Sequence, residues 1–205
     1  MAEDYTTGRM VTLTDGVLSI AMTLLILDVR LPGPADHLTD GELWTQILGI
    51  KPQLYSYGLS FIVVAIFWIS HVQKFRHLAR MTNLMVWLNI FFLLGIGIVP
   101  FTTALLAENG NAVSTAVYAV GMAFASIMLA SMSIHLRLSG LTEDGTPPRQ
   151  LHTILISQFG TAAVFLISAG LAFINSEWAK YLWLLLIPMG FVRDRREGRA
   201  RPGNR

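Results

Sequence analysis

From Met10 to Val29 the chain reads MVTLTDGVLSIAMTLLILDV, 20 residues of largely apolar character. A helix rising ~1.5 Å per residue covers ~30 Å over that length, the hydrocarbon thickness of a bilayer. The rest of the chain is of the same kind: 53% of its 205 residues are hydrophobic and only 14% are charged. Soluble domains carry about 25% charged residues, so the deficit marks a multi-spanning membrane protein with no room for a second globular unit. The chain has no cysteine, which excludes disulfides, thiolate metal sites and cysteine nucleophiles.

This first span carries Asp15, with Thr12, Thr14, Ser19 and Thr23 beside it. An acid at that depth is costly unless it faces protein or water. Counted at 3.5 residues per repeat, Arg9, Leu13, Gly16, Ile20, Thr23, Leu27 and Arg30 form one seam, with Leu24 at its flank. That spacing keeps one face of a helix toward copies of itself. A second stripe, Asp15, Ser19, Met22 and Ile26, falls on another face and is expected to meet other helices of the same subunit.

Pro32, Gly33 and Pro34 stop the first helix, and Thr39 or Asp40 caps a short amphipathic helix through Glu42, Leu43, Trp44 and Ile47, with Trp44 as its interfacial anchor. Further spans are expected at about 54–72, 84–107, 113–136, 154–174 and 178–192. The third holds Asn89 and a kink at Pro100, the fourth is rich in small residues suited to close helix contact, and the sixth carries a snorkelling Lys180. Residues 141–150 read as a plain polar loop and 193–205 as a basic tail, leaving 1–192 as a single six-span domain of all-α class.

Six spans place both termini on one side of the membrane. Twelve of the 15 lysines and arginines fall on that side, Lys74, Arg76, Arg80 and Arg137 among them, against Arg30, Lys51 and Lys180 on the other. The positive-inside rule then makes both termini cytoplasmic. Met1 to Gly8 lacks the basic start and small-residue cleavage site of a signal peptide, so the first span is expected to be retained. Because six basic residues cluster in the last 13 positions, the basic balance reads as topology rather than nucleic-acid binding.

Enzyme signatures are missing: no Gly-rich phosphate loop, HExxH, GxSxG or close carboxylate pair within the spans. His71 and His77 are six apart, on different helix faces, which argues against a metal site. Asp15 has two readings, a buried acid holding helices together, with His71 its expected partner, or a group in contact with a permeating ion. For Ile20, Thr23, Leu24 and Leu27 the residues alone favour ordinary helix packing. A proton-coupled secondary transporter titrating Asp15 and His71, or a non-conducting scaffold, are the alternatives to a channel; no inverted repeat supports the carrier.

The run Arg9 to Leu25, RMVTLTDGVLSIAMTLL, resembles the first span of the transmembrane protein 175 family, lysosomal potassium channels and their prokaryotic relatives. The family's signature is an arginine, three residues, then Phe-Ser-Asp; here Arg9 is followed at that spacing by Leu13, Thr14 and Asp15. Trp68 and His71 resemble its second-span Trp-x-x-His, and Pro100-Phe101 its third-span Pro-Phe. The likeness covers the first 107 residues, the remainder matching only as a pattern of spans. Threonine at 14 keeps the hydroxyl of serine, whereas Leu13 loses the aromatic ring and whatever helix contact it makes.

The resemblance implies a homotetramer of six-helix subunits whose first helices line a central potassium pathway. By position it implies Ile20 as the hydrophobic constriction, Thr23 as the hydroxyl layer linked to selectivity, and Leu24 and Leu27 as further pore layers. Arg9, Leu13, Thr14, Asp15, Trp68 and His71 are implied as the structural motif. The ligand would be the permeating potassium ion, with no cofactor. A single six-span unit, where the family's animal members carry two, implies a prokaryotic cytoplasmic membrane.

Overall fold

The computed structural model describes residues 7–33, 38–142 and 148–186. The helices are α1 (Thr7–Leu24), continued by a 3₁₀ turn over Leu25–Asp28, then α2 (Asp40–Gly49), α3 (Lys51–Phe75), α4 (Asn83–Gly97), α5 (Val99–Asn109), α6 (Ala112–Leu138), α7 (Pro148–Leu171) and α8 (Ser176–Leu184). Among the described residues there is no strand beyond one isolated bridge between Leu78 and Thr142.

Four stretches are long and apolar enough to cross a membrane: Thr7–Asp28, Lys51–Phe75, Asn83–Asn109 and Ala112–Leu138. The apolar part described in α7, Leu155–Leu171, is shorter, and α8 has nine residues. Residues 187–192 of the expected sixth span, and the basic tail, lie outside the described residues.

Small residues explain why α6 sits at the centre. Ala116, Ala119, Ala123, Ala125, Ser126 and Ala130 are all buried, and α6 packs against α4, α5 and α7. The closest approach falls at Gly95 of α4, where a Cβ would stand 3.0 Å from Phe124 and 3.2 Å from the Ala125 methyl group. Only glycine admits that contact without displacement. At the other edge of the bundle, α1 rests on α3 and α4 and is the least enclosed of the four long helices.

The third span bends where its proline requires it. Ile98 separates α4 from α5, and Pro100 in the first turn of α5 has no N–H to continue the ladder. Thr103 Oγ1 lies 2.8 Å from both the Val99 carbonyl oxygen and Ser60 Oγ, and Ser60 in turn lies 3.1 Å from the buried Tyr118 hydroxyl. Polar side chains of α3, α5 and α6 thus cover the backbone beside the break.

Three expectations need correction. Lys74 is not a loop charge: α3 runs one turn further than its apolar pattern, and the Lys74 stem is buried with its ammonium group donating to the Leu129 carbonyl of α6. Residues 141–150 are not a plain polar loop, since Leu141 is buried and accepts from the Ala79 amide at 2.9 Å, while α7 begins at Pro148. The first span opens at Thr7 and tightens into 3₁₀ geometry for its last turn. The capped helix between the first two spans is as expected, Thr39 Oγ1 accepting from the Glu42 amide and Glu42 from the Thr39 amide. Those bonds hold the Glu42 carboxyl below its ordinary range, the Thr39 backbone N–H contributing most.

Candidate functional site

α1 has two distinct faces. Met10, Thr14, Leu18, Ala21 and Leu25 are buried against the chain's other helices. The expected inward stripe is therefore displaced by one residue: Ser19 and Ile26 are exposed, and Asp15 and Met22 are only half-buried. The cause is Asn89 of α4, whose side-chain Nδ2 donates to Thr14 Oγ1 at 2.9 Å and turns Thr14, rather than Asp15, toward the interior.

The seam at 3.5-residue spacing faces away from the chain's other helices. Arg9, Leu13, Gly16, Thr23 and Leu24 are exposed, and Ile20 and Leu27 retain 59% and 58% exposure. Thr23 donates its hydroxyl hydrogen to the Ile20 carbonyl at 2.9 Å. Its oxygen lone pairs consequently remain on the exposed face, where they can only accept or coordinate. Beyond the 3₁₀ turn, Arg30 Nε donates to the Leu27 carbonyl at 3.0 Å, closing the end of the helix with a cation.

At its Thr14–Asp15 step α1 is held to the neighbouring helices by a pair of polar bridges. In one, Thr14 is joined to Asn89, and His71 Nε2 lies 2.9 Å from Asn89 Oδ1. An amide oxygen only accepts, so Nε2 must carry the imidazole hydrogen, leaving Nδ1 as an acceptor with no partner among the described residues. The ring stacks on Phe75 at 4.1 Å between centroids and lies parallel to Phe92 at 5.8 Å. In the other bridge, Trp68 Nε1 donates to Asp15 Oδ1 at 2.8 Å.

Asp15 and His71 are thus not partners, contrary to the expectation from sequence. They belong to separate bridges because Asn89 occupies the histidine's donor position and the indole reaches the carboxylate instead. Asn89 is the residue whose role sequence reasoning missed. Its signal was available, an amide within the otherwise apolar run LMVWLNIFFLLGIG.

The sequence pattern of the family described as "Endosomal/lysosomal potassium channel TMEM175" matches residues 9–100. A protein of Streptomyces collinus, named a potassium channel, is 31% identical over 178 residues, covering 82% of this chain and 84% of that protein. The chain belongs to the TMEM175 family. The human endosomal/lysosomal proton channel TMEM175 is 32% identical over 103 residues, a stretch that is 20% of its length. In fold, the chain is similar to the crystal structure of a lysosomal potassium-selective channel TMEM175 homolog from Chamaesiphon minutus. The TM-score is 0.80 at 24% identity, covering 91% of this chain and 97% of that one. Membership of the TMEM175 family, together with four membrane-competent helices, makes this an all-α membrane protein of a channel family rather than of an enzyme class. The residues matched by the TMEM175 pattern contain every partner in both bridges: Thr14, Asp15, Trp68, His71 and Asn89.

Proposed function

We propose that the chain is one subunit of a homotetrameric, potassium-permeable cation channel, with six spans per subunit and the α1 seams of four copies facing a common axis. The observation that carries this reading is the seam itself. Ile20, Thr23, Leu24 and Leu27 are left uncovered by their own subunit while the opposite face of α1 is buried and polar-bonded. Support for the permeant ion comes from the relatives, of which those from Streptomyces collinus and Chamaesiphon minutus are named potassium channels.

In this arrangement four Ile20 side chains meet at the axis, exclude water and act as a hydrophobic gate that opens by widening and rewetting. One turn on, four Thr23 oxygens replace part of an ion's hydration shell. Because each hydroxyl hydrogen is already held by the Ile20 carbonyl, the ring presents lone pairs only, which suits a cation. A single such layer favours potassium over sodium modestly compared with stacked backbone carbonyls. Leu24 and Leu27 form apolar layers beyond it. Conduction is passive, with the potassium ion as cargo and no resident cofactor. The proposed setting is a prokaryotic cytoplasmic membrane with both termini inside; removing the buried Lys74 from the loop charges leaves their asymmetry intact.

Potassium efflux from vesicles containing the purified protein tests this reading, with the subunit number measured in the same detergent. Channel-like flux that continues without a pH gradient, from a tetramer, is expected. Saturating flux driven only by a pH gradient would instead make the protein a carrier, and no flux at all would make it a scaffold.

A further inference from the structure

We propose that the end of the bundle where α3 and α6 finish is a binding site for the headgroup of an anionic phospholipid, held by Arg76, Arg80 and Arg137. Two connections meet there through backbone bonds. The Ala79 amide donates to the Leu141 carbonyl at 2.9 Å, and the Leu141 amide donates to the Leu136 carbonyl at 3.2 Å. Buried Leu78 and Leu141 plug the platform from below. At the same level His135 Nε2 lies 2.9 Å from Thr82 Oγ1, tying the N-cap of α4 to α6. The segment carrying Arg76 and Arg80 is therefore fixed against the end of α6 that carries Arg137.

All three arginines are exposed, and none of their guanidinium groups has a hydrogen bond or ion pair among the described residues. At the opposite end Arg30 is bonded to Leu27 and Lys180 to Gly110 and Glu177, which leaves Lys51 as the described cation there without a side-chain partner among the described residues. The described acids Asp28, Asp40, Glu42, Glu108 and Glu177 also lie at that opposite end, and Asp15 is bonded to Trp68. The arginine end thus concentrates positive charge, unpaired among the described residues, where the spans leave the bilayer. Beside it Leu84, Trp87 and Leu138 are exposed, an apolar ledge for the start of the acyl chains. Exposed guanidinium groups next to exposed apolar side chains match a phosphate attached to hydrocarbon better than a free anion. Glu143 and Asp144 follow the platform in sequence and are its internal rivals for the arginines.

Native mass spectrometry of the full-length protein, offered equal amounts of phosphatidylglycerol and phosphatidylcholine, tests the site. The wild type is expected to retain phosphatidylglycerol preferentially. The R80Q/R137Q variant should lose that preference by about 25-fold, roughly fivefold per arginine, while R80K/R137K keeps most of it and K51Q, at the other end, leaves it unchanged. Equal retention of the two lipids by the wild type would mean that Glu143 and Asp144 already neutralise the arginines, and would overturn the proposal. A loss in K51Q equal to that in R80Q/R137Q would do the same, since only net charge would then matter. Displacement of phosphatidylglycerol by sodium phosphate, but not by sodium chloride at equal ionic strength, would assign the site to free phosphate instead. The measurement is independent of conduction and of subunit number.

Discussion

Trp68 and Asp15 meet across the contact between α3 and α1, the indole donating to the carboxylate at 2.8 Å. One residue earlier, Thr14 is held by Asn89 of α4. The start of α1 is therefore pinned by two neighbours at one level. From Leu18 to Leu25 its inward contacts are apolar. Directional bonds fix register, whereas apolar contacts permit small shifts.

Replacing Asp15 by asparagine is expected to harm assembly more than conductance, because the bond to Trp68 loses its charge assistance while the seam residues stay in place. Each of Asp15→Asn and Trp68→Phe should cost about 1 kcal/mol of stability, and the double variant less than their sum. Thermal melting with the yield of intact tetramer checks this. Normal tetramer yield with altered permeation would contradict the structural role.

Asn89→Ala leaves the Thr14 hydroxyl and the His71 donor without their buried partner. A loss of about 1–3 kcal/mol is expected, and Thr14→Val should add little once Asn89 is gone. A double-mutant cycle measured by denaturant or heat provides the coupling; full additivity would break the link between the two residues.

Gly95→Ala introduces a Cβ within 3.0 Å of Phe124. The α4–α6 contact must open to admit it, at a cost of about 1–3 kcal/mol. Gly97→Ala, where a Cβ meets nothing within 4 Å, is the matched control and should be close to neutral.

Ile20→Ala should raise the leak of the closed channel, and Thr23→Ala should lower the potassium-to-sodium permeability ratio. Thr23→Ser, which retains the hydroxyl, should preserve the ratio. Reversal potentials in reconstituted vesicles decide the matter, and an unchanged ratio in Thr23→Ala would remove Thr23 from the pathway.

The sequence carried much of this structure in its spacing. The 3.5-residue repeat from Arg9 to Arg30 marks the face of α1 that the chain's other helices leave open, Pro100 marks a bend, and of the two cap candidates Thr39 and Asp40 it is Thr39 that caps α2. Which polar groups pair across helices was less accessible. Asp15 and His71 are the two most conspicuous titratable side chains in their spans, yet helix rotation gives one to Trp68 and the other to Asn89. That rotation depends on the packing of α4, which no local pattern in α1 records. Lys74 follows the same rule, since a lysine ending an apolar run looks like a loop charge unless a neighbouring carbonyl receives it, as that of Leu129 does here.

The central claim is that four copies of α1 turn one edge toward a shared path, and the absence of native cysteine makes it directly testable. In Leu27→Cys, micromolar Cd²⁺ should stop potassium efflux from vesicles, because thiolates from several subunits meet around one ion. Met22→Cys, on the half-buried side of the same helix, should be unaffected. Efflux through Leu27→Cys that ignores Cd²⁺ while its thiol remains chemically reactive, or block at Met22→Cys instead, would contradict the account.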